Sequence, residues 1–239
     1  LRPLFLRLQA QGSRAPALAS GNRHASLRRM TRRRPPAYLR FPSPPSDLVI
    51  GIMGGSFDPA HSGHAHVIET ARRAAGLDRV WVFVSPGNPL KKTQTAFVDR
   101  LASAQRRLGG RRTIVSGLEA QLGTRYTIDL LHRLKRMAPH ARFVWIMGAD
   151  NLRDFHTWKS WQAIAKLVPI VVVARPGANP KAGLSRFVNA FGARRLNEQD
   201  ARTLARHKPP VWVYISAPFD PISSSEIRAQ MMPNASPPI

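Results

Sequence analysis

The chain contains no cysteine. That excludes disulfides, cysteine zinc sites and thiol nucleophiles, and it suits a reducing compartment such as the cytoplasm. Acidic residues are also scarce, 13 Asp and Glu against 37 Lys and Arg. No tight carboxylate cluster stands out as a metal cage. No apolar run approaches the roughly 20 residues that cross a bilayer. A Walker Gly-x-x-x-x-Gly-Lys-Ser/Thr run is absent, which argues against a P-loop enzyme. The Gly-x-Gly-x-x-Gly fingerprint is missing too, which argues against a dinucleotide dehydrogenase.

What is abundant is positive charge, formally +24 over 239 residues. Such a balance points first to nucleic acid, but its distribution weakens that reading. Residues 1–47 hold ten arginines, one acid and many prolines, with no sustained helical or strand period. They read as a disordered basic extension ending in a stiff Pro-rich linker, Pro35-Pro36 and Pro42-Ser43-Pro44-Pro45. Residue 1 is leucine and Met30 opens Met-Thr-Arg-Arg-Arg, so residues 1–29 are expected to be leader translated from a misplaced start. Their Arg-rich, acid-free character also resembles a transit peptide, although no clear amphipathic period supports it. Residues 48–239 are read as one domain, long enough for a single α/β core.

Within that domain strands and helices alternate. The sequence predicts strands at Leu48–Met53, Val80–Val84, Thr113–Ser116, Phe143–Met147, Ile170–Ala174 and Val211–Ile215. Most are continuous apolar runs, as strands covered on both faces require. Helices are expected at roughly Gly63–Gly76, Val98–Leu108, Tyr126–Met137, Trp158–Lys166 and Ser224–Met231, the period being clearest in Ile128-Leu131-Leu134. This is an α/β pattern: a Rossmann-like open parallel sheet with helices on both faces. Ligands of such sheets bind beyond the carboxyl ends of the strands, where every motif below falls. The stretch Gly177–Lys208 gives no clear pattern.

The most informative run is Gly54-Gly55-Ser56-Phe57-Asp58-Pro59-Ala60-His61-Ser62-Gly63-His64. It joins an apolar strand to a helix, and helix N-termini in that setting hold phosphates. Gly54 and Gly55 let backbone amides approach a phosphate without a Cβ in the way. Ser56 adds a hydroxyl, and Asp58 before Pro59 initiates a turn. His61 and His64 fall side by side on the first helical turn, where both imidazoles can donate to phosphate oxygens. The alternative is a glycine turn with two histidines that only cap the helix. The whole pattern after a strand favours function.

Other motifs lie at the same edge. Ser223 and Ser224 offer hydroxyls and amides at a helix start, with Arg228 one turn on able to fold over the same anion. A plain serine cap is the alternative. Asn88, Lys91 and Lys92 follow the second strand, and either lysine serves as a point charge or as a solvated loop residue. Gly148 permits close backbone approach. Asp150 can accept from a ribose hydroxyl or act as an N-cap. Trp158 and Trp161 can stack on a flat ring, though tryptophans at a helix start more often pack in a core.

Taken in order, these residues resemble the bacterial nicotinate-nucleotide adenylyltransferases of the nucleotidyltransferase superfamily, over essentially all of residues 48–232. The resemblance rests on the His-x-Gly-His run, Tyr126-Thr127-Ile128-Asp129, Gly148-Ala149-Asp150-Asn151-Leu152, Trp158, Arg175-Pro176-Gly177 and Ile222 through Arg228. It implies adenylyl transfer from ATP to nicotinate mononucleotide, giving deamido-NAD and pyrophosphate, with Mg²⁺ held mainly by the ATP phosphates. It further implies that Gly54, Gly55, Ser56, Phe57, His61, His64, Gly148, Asp150, Ser223, Ser224 and Arg228 meet ATP, with His61, His64 and Arg228 carrying the chemistry. Asn88, Lys91, Tyr126, Thr127 and Trp158 then line the mononucleotide, its ring stacked on Trp158. The chain departs from the family pattern at Pro-Gly-Asn-Pro-Leu-Lys-Lys (86–92), at Leu130 and in its N-terminal extension. Phosphopantetheine or nicotinamide mononucleotide are the alternative acceptors. An RNA-binding role is the rival from another class, disfavoured because the charges are not interleaved with an RNA motif.

Overall fold

The computed structural model describes residues 47–87, 95–174 and 185–216. The expected helix at Ser224–Met231 and the Arg175–Gly177 motif lie outside them, as do Asn88, Lys91, Ser223, Ser224 and Arg228.

Seven parallel strands form one sheet in the order β3-β2-β1-β4-β5-β7-β6. They are β1 (Val49–Gly55), β2 (Arg79–Val84), β3 (Thr113–Ser116), β4 (Arg142–Gly148), β5 (Ile170–Val173), β6 (Arg195–Leu196) and β7 (Trp212–Ile215). The chain builds outward from β1 to β3, then returns to place β4 on the other side of β1. The β1/β4 boundary is therefore the switch point, where such sheets open a crevice at their carboxyl edge.

The side chains explain the layering. Successive strand residues face opposite sides, so Val80, Val82 and Val84 enter one core while Trp81 and Phe83 enter the other. On the first side α1 (Ser62–Ala74) buries Gly63, Val67, Ile68 and Ala71, and α2 (Phe97–Leu108) buries Arg100, Leu101, Ala104 and Leu108. On the second side α4 (Thr127–Met137) buries Ile128, Leu130, Leu131 and Leu134. Each such fully buried aliphatic side chain stabilises the fold by roughly 1.5–3 kcal/mol. Met137, the last residue of α4, is 42% exposed.

The open parallel sheet with helices on both faces is as the sequence predicts. Several details differ. β1 continues through Gly54 and Gly55. A short α3 (Leu118–Leu122) precedes α4, ended by Gly123 at φ +64°. The expected helix at Trp158–Lys166 starts later, as α6 (Trp161–Leu167), and is preceded by α5 (Ala149–Asp154) and a 3-10 turn (Phe155–Thr157). Trp158 has extended backbone and Ser160 sits at φ +53°, which breaks the helix before Trp161. The patternless stretch before Lys208 holds α7 (Arg186–Phe191), β6 and a 3-10 segment (Glu198–Arg206). Among the described residues no helix is long and apolar enough to cross a membrane.

Candidate active site

Gly54 and Gly55 end β1, paired with Phe83 and Val84. A Cβ on Gly54 would lie 3.0 Å from the Trp145 ring, and one on Gly55 would lie 3.2 Å from the Phe57 ring. Two aromatic rings therefore crowd any side chain at these positions and favour glycine, in addition to any ligand. The turn begins only after them, with Ser56 partly exposed and Phe57 at φ +48°. That left-handed conformation is uncommon for a bulky residue. Phe57 is 2% exposed, its ring in the first core and 5.0 Å from that of His64.

His61 is the N-cap of α1, not a first-turn residue, and His64 is its third helical position. Nδ1 of His61 accepts from the Gly63 amide at 3.1 Å, and Nδ1 of His64 accepts from the His61 amide at 3.3 Å. This is a reciprocal capping box, with imidazoles in the roles usually taken by serine and glutamate. The rings lie 3.9 Å apart at 49°. His61 is buried and His64 partly exposed. Capping and ligand binding are compatible, because a ring whose Nδ1 accepts carries its proton on Nε2. The box thus fixes both tautomers as Nε2–H donors at the positive end of a 13-residue helix. Both rings make their caps as Nδ1 acceptors.

Gly148 is the N-cap of α5 and Asp150 is exposed in its first turn. Asp150 is not itself the cap, which removes that alternative. On the other side of β4, Tyr126 is the N-cap of α4 and Thr127 its first residue. Lys159 draws this end toward Trp158: its Nζ stands 4.4 Å over the Tyr126 ring and 3.7 Å from the Asp129 carboxylate. Trp158 is partly buried and packs edge-on against Phe155 at 5.2 Å and Trp145 at 6.0 Å. Trp158 and Trp161 both pack against the second core, as the packing alternative held. Trp145 links the two halves of the site, reaching the Gly54 position on one side and Trp158 on the other. Its indole N–H is buried with no hydrogen-bond partner.

Two charged groups at this edge escaped the sequence reading. Arg100 is 2% exposed, and its guanidinium donates to main-chain carbonyls of the loops around it. Burial pushes its proton affinity down, while the Asp58 carboxylate acts in the opposite sense. The available signal was its place on the apolar stripe Phe97-Leu101-Ala104-Leu108. Glu119 in α3 is 5% exposed, its Oε2 unpartnered. Burial alone pushes its carboxyl up to about 8.

A strand–turn–helix with paired imidazoles at a switch point is an arrangement suited to a nucleotide phosphate, and its relatives place the chain among the nucleotidyltransferases. The family model described as cytidylyltransferase-like matches residues 52–230. A protein of Cereibacter sphaeroides called "Probable nicotinate-nucleotide adenylyltransferase" is 48% identical over 183 residues, 76% of this chain and 97% of that protein. Proteins of the same name from Agrobacterium fabrum and Ruegeria pomeroyi are 44% and 45% identical, over 76% and 79% of this chain and 98% and 89% of theirs. The chain belongs to the nicotinate-nucleotide adenylyltransferase family. Its fold also resembles the Plasmodium falciparum nicotinic acid mononucleotide adenylyltransferase, solved with NaAD and with APC. There the TM-score is 0.55 at 21% identity, covering 76% of this chain and 83% of that one.

Proposed function

We propose that this chain transfers the adenylyl group of ATP to nicotinate mononucleotide, releasing pyrophosphate and forming deamido-NAD. The capping box of His61 and His64 carries the reading, because it presets two N–H donors where a polyphosphate would meet a helix N-terminus. The family relatives named above support the same chemistry.

In the reaction an oxygen of the mononucleotide phosphate attacks the ATP α-phosphorus in line. The bond from that phosphorus to the bridging oxygen breaks, and its electron pair leaves with pyrophosphate. The attacking oxyanion needs no base and no enzyme nucleophile. The protein's work is to align the reactants and to neutralise charge growing on the leaving group. His61 and His64 supply that on the nucleotide side. Ser223, Ser224 and Arg228 are proposed for the same phosphates. Tyr126, Thr127 and Trp158 receive the nicotinate, Thr127 and nearby amides meeting its carboxylate, with Asn88 and Lys91 along the mononucleotide. Among the described residues no group of three or more His, Cys, Asp or Glu stands together as a metal cage. Mg²⁺ is placed with the substrate, carried by ATP phosphates and water, and no step above depends on a protein-held ion.

The test is pyrophosphate release by the full chain with MgATP and either nicotinate or nicotinamide mononucleotide. Strong preference for the acid is expected. Equal or reversed preference keeps adenylyl transfer but overturns the acceptor. No turnover with either, or with phosphopantetheine, refutes the reading.

A further inference from the structure

The Arg100 guanidinium ties three backbone segments together through four carbonyls. Nε donates to the Thr95 carbonyl at 3.0 Å. Nη1 donates to Ser56 at 2.6 Å and to Ser85 at 3.0 Å, and Nη2 donates to Pro86 at 3.1 Å. Four of its five N–H groups are thus spent on main-chain oxygens. The carbonyls come from three places in the chain. Ser56 opens the turn that leads to the paired histidines. Ser85 and Pro86 leave the end of β2, and Thr95 leads into α2.

Geometry of this kind has a particular cost structure. A guanidinium enclosed at 2% exposure is expensive to bury unless its donors are satisfied. Carbonyls satisfy them here, and the rigid planar fork fixes where those carbonyls stand relative to one another. The β1 turn is also joined to this end of β2 by the Ser85 amide, which donates to the Gly55 carbonyl at 2.9 Å. One bond of that kind sets a separation. The fork adds an orientation.

We propose that Arg100 is a positioning residue for the transfer reaction, fixing the β1 turn against both anchors of the segment between Pro86 and Thr95. This rests on the function proposed above, in which the β1 turn serves ATP and that segment serves the mononucleotide. Arg100 touches neither substrate. Its effect is on the alignment of one bound reactant with the other, so its loss slows joining more than it weakens the binding of either.

The experiment uses the full chain with Arg100→Lys, Arg100→Met and Arg100→Ala. It measures kcat, KM for each substrate, equilibrium binding of a non-hydrolysable ATP analogue, and thermal unfolding. Lysine keeps the charge and the stem but offers a compact point of donors that cannot span three segments. For Arg100→Lys the expected result is a kcat lower by about 10²-fold, the scale set by misplacement of about 1 Å, with analogue affinity within roughly threefold of wild type. Millimolar guanidinium is expected to restore at least part of the lost rate of Arg100→Ala, and methylammonium is not. Unchanged kcat in a folded Arg100→Met overturns the proposal. So does a rate loss matched by equal loss of analogue binding, or an Arg100→Lys protein that does not fold, since each marks a purely structural role. If wild type itself turns over neither acceptor, it is the proposed function that has failed.

Discussion

Replacing Glu119 with glutamine should make the protein more stable, and by an amount that grows with pH. In the folded chain this carboxyl is buried, one oxygen has no partner, and burial raises it from 4.5 to about 8. Below pH 4.5 both folded and unfolded chains hold the proton, and the group is silent. Between pH 4.5 and 8 the unfolded chain has lost the proton while the folded chain keeps it. Folding then takes up a proton, and stability falls as pH rises. Above pH 8 both forms are ionised and the loss levels off. Each pH unit in the window costs about 1.4 kcal/mol, so by pH 7 the group has removed about 3 kcal/mol. That is a sizeable share of the 5–15 kcal/mol typical of a domain. Glutamine has nearly the same shape and does not titrate. Urea unfolding of both proteins at pH 5, 6, 7 and 8 should show the variant's advantage widening by about 3–4 kcal/mol across the series. An advantage that does not change with pH would refute the argument, whatever its size.

The two nitrogens of His64 can be tested separately. His64→Asn keeps an acceptor near Nδ1 and loses the Nε2–H donor, so kcat should fall about 10²–10³-fold with little change in Tm. His64→Gln keeps a donor near Nε2, and its side-chain oxygen can take the cap that glutamate or glutamine usually fills at this position. It should hold turnover within about tenfold of wild type with little change in Tm, and equal turnover in the two variants would sink the assignment. Gly54→Ala should cost about 1–3 kcal/mol by forcing a Cβ against Trp145. The cost should shrink in a Trp145→Phe background, which removes the crowded ring edge; additive effects in urea titrations would show that the contact is not the cause.

The strands were legible because burial on both faces writes itself as unbroken runs such as Val80-Trp81-Val82-Phe83-Val84. The His-x-Gly-His turn was legible because glycine and histidine rarely gather after a strand without reason. Other features leave no such mark. Ser160 adopts positive φ without being glycine, so nothing announced the break that puts Trp158 in an extended turn. Gly54 and Gly55 looked like a loop, because the rings that crowd a Cβ there come from Trp145, far along the chain, and from Phe57 in the turn itself. Arg100 was one arginine among many in a basic chain. Only its register on α2 set it apart, and its carbonyl partners come from segments a sequence does not place together. Ser223, Ser224, Arg228, Asn88 and Lys91 lie outside the described residues and rest on their sequence pattern and the resemblance.

The sheet also acts as a partition wall. The helix bearing the paired histidines and the one bearing Arg100 stand on one core, while Tyr126, Thr127 and Trp158 are carried by elements of the other. The paired histidines and the residues proposed to receive the nicotinate ring are thus held by separate packed layers, with Trp145 the side chain that touches both Trp158 and the end of β1. Substitutions in the second layer away from Trp145 can reshape the ground beneath Trp158 without touching the layer that carries the histidines. Such a division lets acceptor choice diversify within one architecture while the chemistry of the donor stays fixed.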